Sequence, residues 1–170
     1  MEQPQELDFW SVAGDFFRAL RGNGVFGSVA GQAGERNVLT LGWGLAGNAY
    51  QGHPFLAVAV APQRHSFRFL QEAPEFVIGV PGEDLAAALA LCGTKSGRDL
   101  DKFSAAGLTP VPSVQVRPPS IRECLFNIEC RIYTRLGPPC PILPPKFLQR
   151  PPDKQHTVFF AEVLGTYRRG

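Results

Sequence analysis

The sequence predicts a mainly β protein with short helices, built as a β-barrel or sandwich with the helices packed around it. Its 170 residues suit one domain, and 44% hydrophobic residues suffice for a buried core. Strand-like segments dominate, whereas the helix-like segments are short. The 18 glycines and 16 prolines are typical of a protein rich in turns. We therefore expect residues 1–170 to form a single domain.

The N-terminal part is predicted to hold a helix and a β-hairpin. Residues 8–21 carry apolar side chains at helical spacing, and Gly22 follows as a stop signal. Residues 24–31 and 37–43 resemble two strands that flank the polar turn GQAGER. The first part of the chain therefore places a helix before a sheet.

The central part is predicted to alternate strands with short helices. An apolar run at 55–61 indicates a strand buried on both faces, and a helix at 66–72 and a strand at 75–80 follow. Residues 83–91 form an alanine- and leucine-rich helix that opens with two acids. Asp99 is a candidate N-cap for a further short helix.

The C-terminal part is predicted to contain two long strands separated by a proline-rich loop. Residues 121–133 alternate apolar with polar side chains, Glu129 among the polar ones, which indicates a half-buried antiparallel strand. Residues 137–155 predict an extended loop, because proline supplies no donor to a sheet. Residues 156–167 predict the final strand.

Composition and motifs exclude several classes of function. A net charge of +2 is too mild for a nucleic-acid partner. No apolar run is long enough to cross a membrane and the start lacks a signal peptide, so we expect a cytoplasmic protein. The four cysteines lack CxxC spacing, which favours buried, reduced thiols. The sequence has no catalytic-triad, Walker A or GxGxxG motif. It also lacks HExxH, so no metal is expected.

Two stretches carry residues that suit a flat or anionic ligand. Residues 37–44, NVLTLGWG, end with a glycine beside Trp43, which suits a flat ring but equally an ordinary core tryptophan. Residues 61–67, APQRHSF, place Arg64 and Ser66 before a helix, which suits an anion but equally a capped helix with solvated charges.

A third stretch is CGTKSGRDLDKF at residues 92–103. Gly93 and Gly97 permit tight or left-handed turns that line up amides around an anion, and lysines and an arginine add charge. A polar loop between two helices is the alternative. Asp99 and Asp101 fit helix capping better than ligand contact.

In this order, NVLTLGWG, SGRDLDKFSAAGLTPV (96–111) and HTVFFAEVLG (156–165) resemble the flavin reductase-like, FMN-binding split-barrel family, and its flavoredoxin-type branch in particular. The resemblance extends from Val25 to Tyr167. It implies a split β-barrel with short helices, usually a homodimer, with FMN bound noncovalently near the dimer interface. No catalytic side chain is implied, because the isoalloxazine carries the electrons.

The resemblance also implies which residues bind FMN. In the family, one matching segment runs along the ring and ribityl chain and another contacts the phosphate side. A loop and the start of the last strand also face the flavin. These segments comprise Asn37, Thr40, Leu41, Gly42 and Trp43 for the ring and ribityl chain, Arg64, His65 and Ser66 for the phosphate side, Ser96, Gly97 and Lys102 in one flavin-side loop, and His156 facing the flavin. The insertion at residues 137–155 is longer than the family pattern and precedes His156, where it can cover the flavin or reshape the substrate entrance.

The function implied by the resemblance is an FMN-dependent oxidoreductase that takes hydride from NAD(P)H, or electrons from a redox protein. A flavoredoxin-like electron carrier between proteins, without its own nicotinamide site, is the alternative. A noncatalytic ligand-binding module, with the prolines as an extended recognition segment, is a third reading.

Overall fold

A large antiparallel sheet dominates the computed structural model, which describes residues 3–169. Its eight strands are β1 (Gln5–Leu7), β2 (Val25–Ala30), β3 (Arg36–Leu41), β4 (Gly44–Tyr50), β5 (His53–Val60), β6 (Glu75–Val80), β9 (Phe126–Leu136) and β10 (Thr157–Arg168). Seven of them follow the order β3-β2-β6-β9-β10-β5-β4, and β1 pairs with β10. A small second sheet joins β7 (Pro110–Val111) to β8 (Ser120–Ile121).

The sheet must curl, because its two edge strands are neighbours in sequence. In a flat sheet, β3 and β4 would lie about 29 Å apart, at about 4.8 Å for each of six strand spacings. Only Gly42 and Trp43 join the end of β3 to the start of β4. Three Cα–Cα steps of about 3.8 Å cannot span that distance. The two edges therefore meet at this link, and the sheet forms a barrel that is split there.

Five α-helices surround the sheet in the described part of the chain. They are α1 (Phe9–Arg21), α2 (Ser66–Glu72), α3 (Ala86–Thr94), α4 (Lys102–Ala105) and α5 (Pro145–Leu148). Asp8 caps α1 by accepting a hydrogen bond from the Ser11 amide, and Gly22 ends the helix by donating to two carbonyls of its last turn. No helix within residues 3–169 is long and apolar enough to cross a membrane.

The core lies on both faces of β2 and β3. On the inner face, α1 contributes Phe9, Val12 and Phe16 to the main apolar cluster. On the outer face, α3 and α4 cover the strands, with Leu89 and Phe103 in a second cluster. Every residue of β2 is consequently buried. This double burial fixes the end of β3 and the loop between α3 and α4 relative to each other.

The predicted mainly β fold with short helices is confirmed. Helix α2 and strand β6 have the predicted bounds, and all four cysteines are buried and unpaired as expected. Strand β4 was missed, and Asp101 rather than Asp99 caps α4. The insertion is not a plain extended loop, because it contains α5 and a 3₁₀ turn at Pro152–Lys154.

The prediction for β9 is wrong in its start and its exposure. The strand begins at Phe126 rather than residue 121, and its first five residues are buried. Glu129, predicted on the polar face, is fully buried and accepts hydrogen bonds from the amides of Val114 (2.8 Å) and Gln115 (2.6 Å). The loop before β8 covers this face, which explains the burial.

Candidate functional site

Two adjoining cavities lie beside the split in the barrel. The first, which we call the basic cavity, has a volume of about 150 Å³ and is lined by Leu39, Thr40, Gln63, Arg64, His65, Ser66, Cys92, Gly93, Thr94, Lys95, Ser96, Gly97, Arg98 and Lys102. The second, which we call the aromatic cavity, has a volume of about 490 Å³ and is lined by Leu39, Thr40, Leu41, Gly42, Trp43, Ala59, Val60, Ala61, Arg64, Pro144, Lys146, Phe147, Arg150 and His156. Leu39, Thr40 and Arg64 line both, so one ligand can extend from one cavity into the other.

Four elements of the fold converge on these cavities. The β3–β4 link supplies Gly42 and Trp43, and the turn between β5 and α2 supplies Arg64. The loop between α3 and α4 lines the basic cavity, and the insertion closes the aromatic cavity just before β10. Residues far apart in sequence therefore meet at one place because the barrel edges and the covering helices meet there.

The basic cavity concentrates positive charge without a carboxylate in its lining. Lys102 is only 5% exposed, and its Nζ donates a hydrogen bond of 2.7 Å to the Cys92 carbonyl. Arg64 donates to the Gly93 carbonyl at 3.1 Å, and Arg98 donates to the Gln63 carbonyl at 3.3 Å. Backbone oxygens thus hold these cations in place without neutralising them. Such an arrangement suits an anion with several acceptor oxygens.

The positive charge and the burial change the ionisation of nearby groups. Burial lowers the pKa of Lys102, although proximity to Cys92 opposes this and Arg64 reinforces it. Burial lowers the pKa of His65, and Arg68, Arg98 and Lys102 lower it further. Burial raises the pKa of the Cys92 thiol to about 11, against the effect of Lys102. The site therefore disfavours additional positive charge, and an anion would reverse that effect.

Close packing, rather than backbone strain, explains the glycines of the 92–103 stretch. Neither glycine has a left-handed backbone, but Gly97 does lie in a tight turn, which the Asp99 amide closes by donating to the Ser96 carbonyl at 3.1 Å, whereas Gly93 lies in α3. A Cβ at Gly97 would collide with the Asn37 side chain and lie 2.9 Å from His65 Cδ2. Only glycine lets this loop lie so close to β3 and the start of α2.

Behind the basic cavity, Asn37 joins β3 to α2. Its Nδ2 donates a hydrogen bond of 2.7 Å to Ser66 Oγ, and both residues are buried. The residue at the helix N-cap is His65, and its side chain makes no capping hydrogen bond. Ser66 is therefore the first residue of α2, and its hydroxyl accepts a hydrogen bond from Asn37 instead of capping the helix.

Aromatic and basic side chains form the walls of the aromatic cavity. The rings of Phe147 and His156 meet edge to face at a centroid distance of 5.3 Å. His156 Nδ1 is buried without a hydrogen-bond partner. Burial lowers the pKa of His156, and Arg150 and Arg64 lower it further. A buried polar atom without a partner is costly, so a polar group of a ligand that bonded to Nδ1 would be stabilised there.

Comparison with known proteins assigns the chain to a family. The model of the flavin reductase like domain matches residues 20–170. The chain belongs to the flavin reductase-like family. An uncharacterized protein of Pyrococcus abyssi is 38% identical over 106 residues, which cover 62% of this chain and 59% of that protein. The chain spans less than two thirds of the curated relatives that it matches.

Solved structures share the flavin reductase-like fold of this chain. A structure described as an FMN-binding domain of flavin reductases-like enzyme from Shewanella baltica has a TM-score of 0.71 and 22% identity, over 98% of this chain and 77% of that one. Flavoredoxin of Desulfovibrio vulgaris (Miyazaki F) has a TM-score of 0.68 and 22% identity, and the match covers 84% of this chain and 67% of the flavoredoxin chain. At these identities the two structures support the split-barrel fold alone.

The flavin reductase-like chain brings together eleven of the twelve residues predicted from its sequence. Those in the basic cavity are Thr40, Arg64, His65, Ser66, Ser96, Gly97 and Lys102, and those in the aromatic cavity are Thr40, Leu41, Gly42, Trp43, Arg64 and His156. Asn37 lines neither cavity but supports Ser66 and Gly97 from behind. The Thr40 hydroxyl donates to the Leu89 carbonyl at 2.5 Å, so it ties β3 to α3.

The residues predicted from the sequence do not include those that the insertion adds to the aromatic cavity. Lys146, Phe147 and Arg150 line the aromatic cavity. The only signal for them is the basic and aromatic composition of PKFLQR within the proline-rich stretch. Arg98, one of the charged residues of the 92–103 stretch, lines the basic cavity but lies outside the predicted set.

Proposed function

We propose that the chain is an FMN-binding flavoprotein oxidoreductase that passes hydride or electrons through noncovalently bound FMN, as an NAD(P)H:flavin reductase does. The observation that carries this proposal is the pair of adjoining cavities, one basic and one aromatic, that share Thr40 and Arg64. FMN combines a phosphate dianion with a flat ring, and the two cavities match those two parts in chemistry.

The residues present fit the phosphate of FMN. Lys102, Arg98 and Arg64 supply charge, and Ser96 and Ser66 place hydroxyls in the same cavity. None of these cations lies within 4.0 Å of a carboxylate in the described residues 3–169. Their charge is therefore available to an anion, whose binding relieves their mutual repulsion.

The residues present also fit the ring. Leu41, Gly42 and Trp43 line one side of the aromatic cavity, where the exposed backbone of Gly42 lets a flat ligand approach. His156 offers a buried Nδ1 without a partner to a polar edge of that ligand. The apolar wall formed by Trp43 and Phe147 excludes water from the ring.

When bound, FMN supplies hydride or electron transfer, so no acid–base side chain is required of the protein. Lys102 and Arg64 would hold the phosphate, and the β3–β4 link would orient the ring. His156, whose lowered pKa favours the neutral ring, serves as a hydrogen-bonding group rather than a charge. The insertion restricts which molecules reach the ring.

The absorption spectrum of the purified protein, before and after anaerobic addition of NADH or NADPH, tests the proposal. We expect flavin bands in the spectrum, either as purified or after FMN is added, and bleaching by one of the two dinucleotides. Reduction only by a reduced protein donor would instead assign the flavoredoxin-like electron carrier. A chain that binds no FMN would contradict both and favour the noncatalytic ligand-binding module.

We also propose that the chain acts as a homodimer. Several large apolar side chains are exposed on β9 and the insertion, namely Tyr133 (58%), Leu136 (41%) and Ile142 (43%). A second copy that covers them would remove this apolar area from water. Sedimentation analysis of the wild type and of Leu136→Glu checks this, with a dimer expected for the first and a monomer for the second. A monomeric wild type would contradict it.

A further inference from the structure

We propose that the insertion, residues 137–155, builds a second anion site into the aromatic cavity, where Lys146 and Arg150 select a planar aromatic anion as the substrate that meets the bound flavin. This inference rests on the proposed FMN function and names the class of substrate that the function serves.

The two cations share one aromatic ring at the cavity wall. The Arg150 guanidinium carbon lies 4.7 Å from the centroid of Phe147, and Lys146 Nζ lies 5.5 Å from it. All three side chains line the aromatic cavity. A flat apolar face with two positive groups beside it matches a ring that carries a negative substituent.

The charge of these two groups is not compensated within the protein. Neither Lys146 nor Arg150 lies within 4.0 Å of a carboxylate in residues 3–169. Arg64 lines the same cavity, and no aspartate or glutamate does. The three cations are exposed, so solvent screens their repulsion, and an anion between them gains a modest attraction from each.

The FMN phosphate does not account for this second cluster. The basic cavity has its own cations in Lys95, Arg98 and Lys102, and neither Lys146 nor Arg150 lines it. Once FMN occupies both cavities as proposed, Lys146 and Arg150 lie on the ring side. Their charge then faces whatever approaches the ring.

The backbone of the insertion that carries these two exposed side chains is anchored. Cys140 and Leu143 are 1% and 4% exposed and pack against the sheet. Gln155 Nε2 donates hydrogen bonds to the carbonyls of Leu148 (3.2 Å) and Arg150 (2.9 Å). Anchors at both ends of the segment make its site part of the fold rather than a loose loop.

Nicotinate and nicotinamide form the matched pair of probes, because the two rings are alike and only nicotinate is an anion. Ligand-observed NMR measures their affinities for the FMN-loaded wild type, for the double variant Lys146→Ala/Arg150→Ala, and for the control Lys154→Ala, which removes a charge of the same segment outside the cavity. We expect the wild type and control to favour nicotinate by about threefold to tenfold. The double variant should bind both probes equally.

Competition with NADH distinguishes two sources of the anion. Unchanged NADH binding by the double variant, together with loss of the preference for nicotinate, supports a free aromatic acid as the substrate. Weaker NADH binding by the double variant would assign the two cations to a dinucleotide phosphate and overturn the inference.

Equal binding of the two probes by the wild type, or detectable binding of neither, overturns the inference. A loss of FMN affinity in the double variant, measured first by calorimetry, overturns it as well, because the cations would then serve FMN. If the wild type binds no FMN, the proposed function fails, and the same probe comparison on the FMN-free chain decides this inference separately.

Discussion

Lys102 Nζ donates a hydrogen bond of 2.7 Å to the carbonyl oxygen of Cys92, ten residues earlier in the chain, and so buries an ammonium group in the wall of the basic cavity. Burial lowers the pKa of this lysine. A charge buried without a carboxylate partner is costly to the folded chain. We infer that the cost is retained because a ligand anion completes the site.

Replacing Lys102 with Met should weaken the binding of FMN but not that of riboflavin, because riboflavin lacks the phosphate. Loss of a charge-assisted contact of about 1.5–3 kcal/mol lowers the FMN affinity by about tenfold to a hundredfold and leaves riboflavin affinity unchanged. Quenching of flavin fluorescence on titration with the protein measures both. Lys154→Met is the control for charge alone, and an equal loss for both flavins would contradict the phosphate assignment.

Replacing Trp43 with Ala should weaken both flavins alike, because the side chain lines the aromatic cavity that we assign to the ring. An aromatic contact of about 0.5–1.5 kcal/mol corresponds to a loss of roughly threefold to tenfold. The same fluorescence titration measures it. Trp10→Ala is the matched control, since Trp10 lies on α1 and donates to the Gly52 carbonyl. A loss confined to FMN would refute the assignment of Trp43 to the ring.

Gly97→Ala should disrupt the basic cavity, since the added Cβ collides with Asn37 and crowds His65. We expect a lower melting temperature and FMN binding weakened by about fivefold to a hundredfold, from a displacement that costs about 1–3 kcal/mol. Gly14→Ala is the control, because nothing lies within 4 Å of that Cβ, and a helix gains about 0.5–1 kcal/mol from alanine. If the two variants behave alike, the close packing of Gly97 has no role.

The sequence predicted most elements from local patterns and failed where tertiary contacts decide. Strand β4, GLAGNAY, has the small and polar residues of a loop and is a strand because it pairs with β5. Glu129 looked exposed by alternation, and a distant loop buries it. Eleven of the predicted residues line the two cavities, and they were selected because their segments match a family pattern. Lys146 and Arg150 were not, since the insertion has no such pattern and only its packing places them.

Glu129→Gln should destabilise the chain without touching either cavity. The carboxylate accepts two amide hydrogen bonds, and Arg169 Nη2 lies 4.0 Å away. An amide can replace only one acceptor, so the free energy of unfolding should fall by about 1–3 kcal/mol. Urea denaturation measures the loss, and Glu162→Gln on the exposed side of β10 is the control. A loss no larger than that of the control would contradict a structural role for the buried carboxylate.

The stability of the FMN-free chain should depend on pH through His65 and His156. Both pKa values are lowered from 6.5 on folding, so the unfolded chain binds protons more readily. Stability is therefore unaffected by these groups above about pH 6.5 and falls as the pH drops from there towards the folded values. Denaturation between about pH 7 and pH 5 should show that the free energy of unfolding falls less in the double variant His65→Asn/His156→Asn than in the wild type. An identical fall in wild type and variant would contradict the lowered pKa values.

We propose that one FMN fills the two adjoining cavities, with its phosphate in the basic cavity. The decisive measurement is a calorimetric titration of the FMN-free chain with FMN and then with riboflavin. We predict one FMN per chain, bound at least about tenfold more tightly than riboflavin because of the phosphate contacts. No binding of FMN, or equal affinity for the two flavins, would contradict the claim.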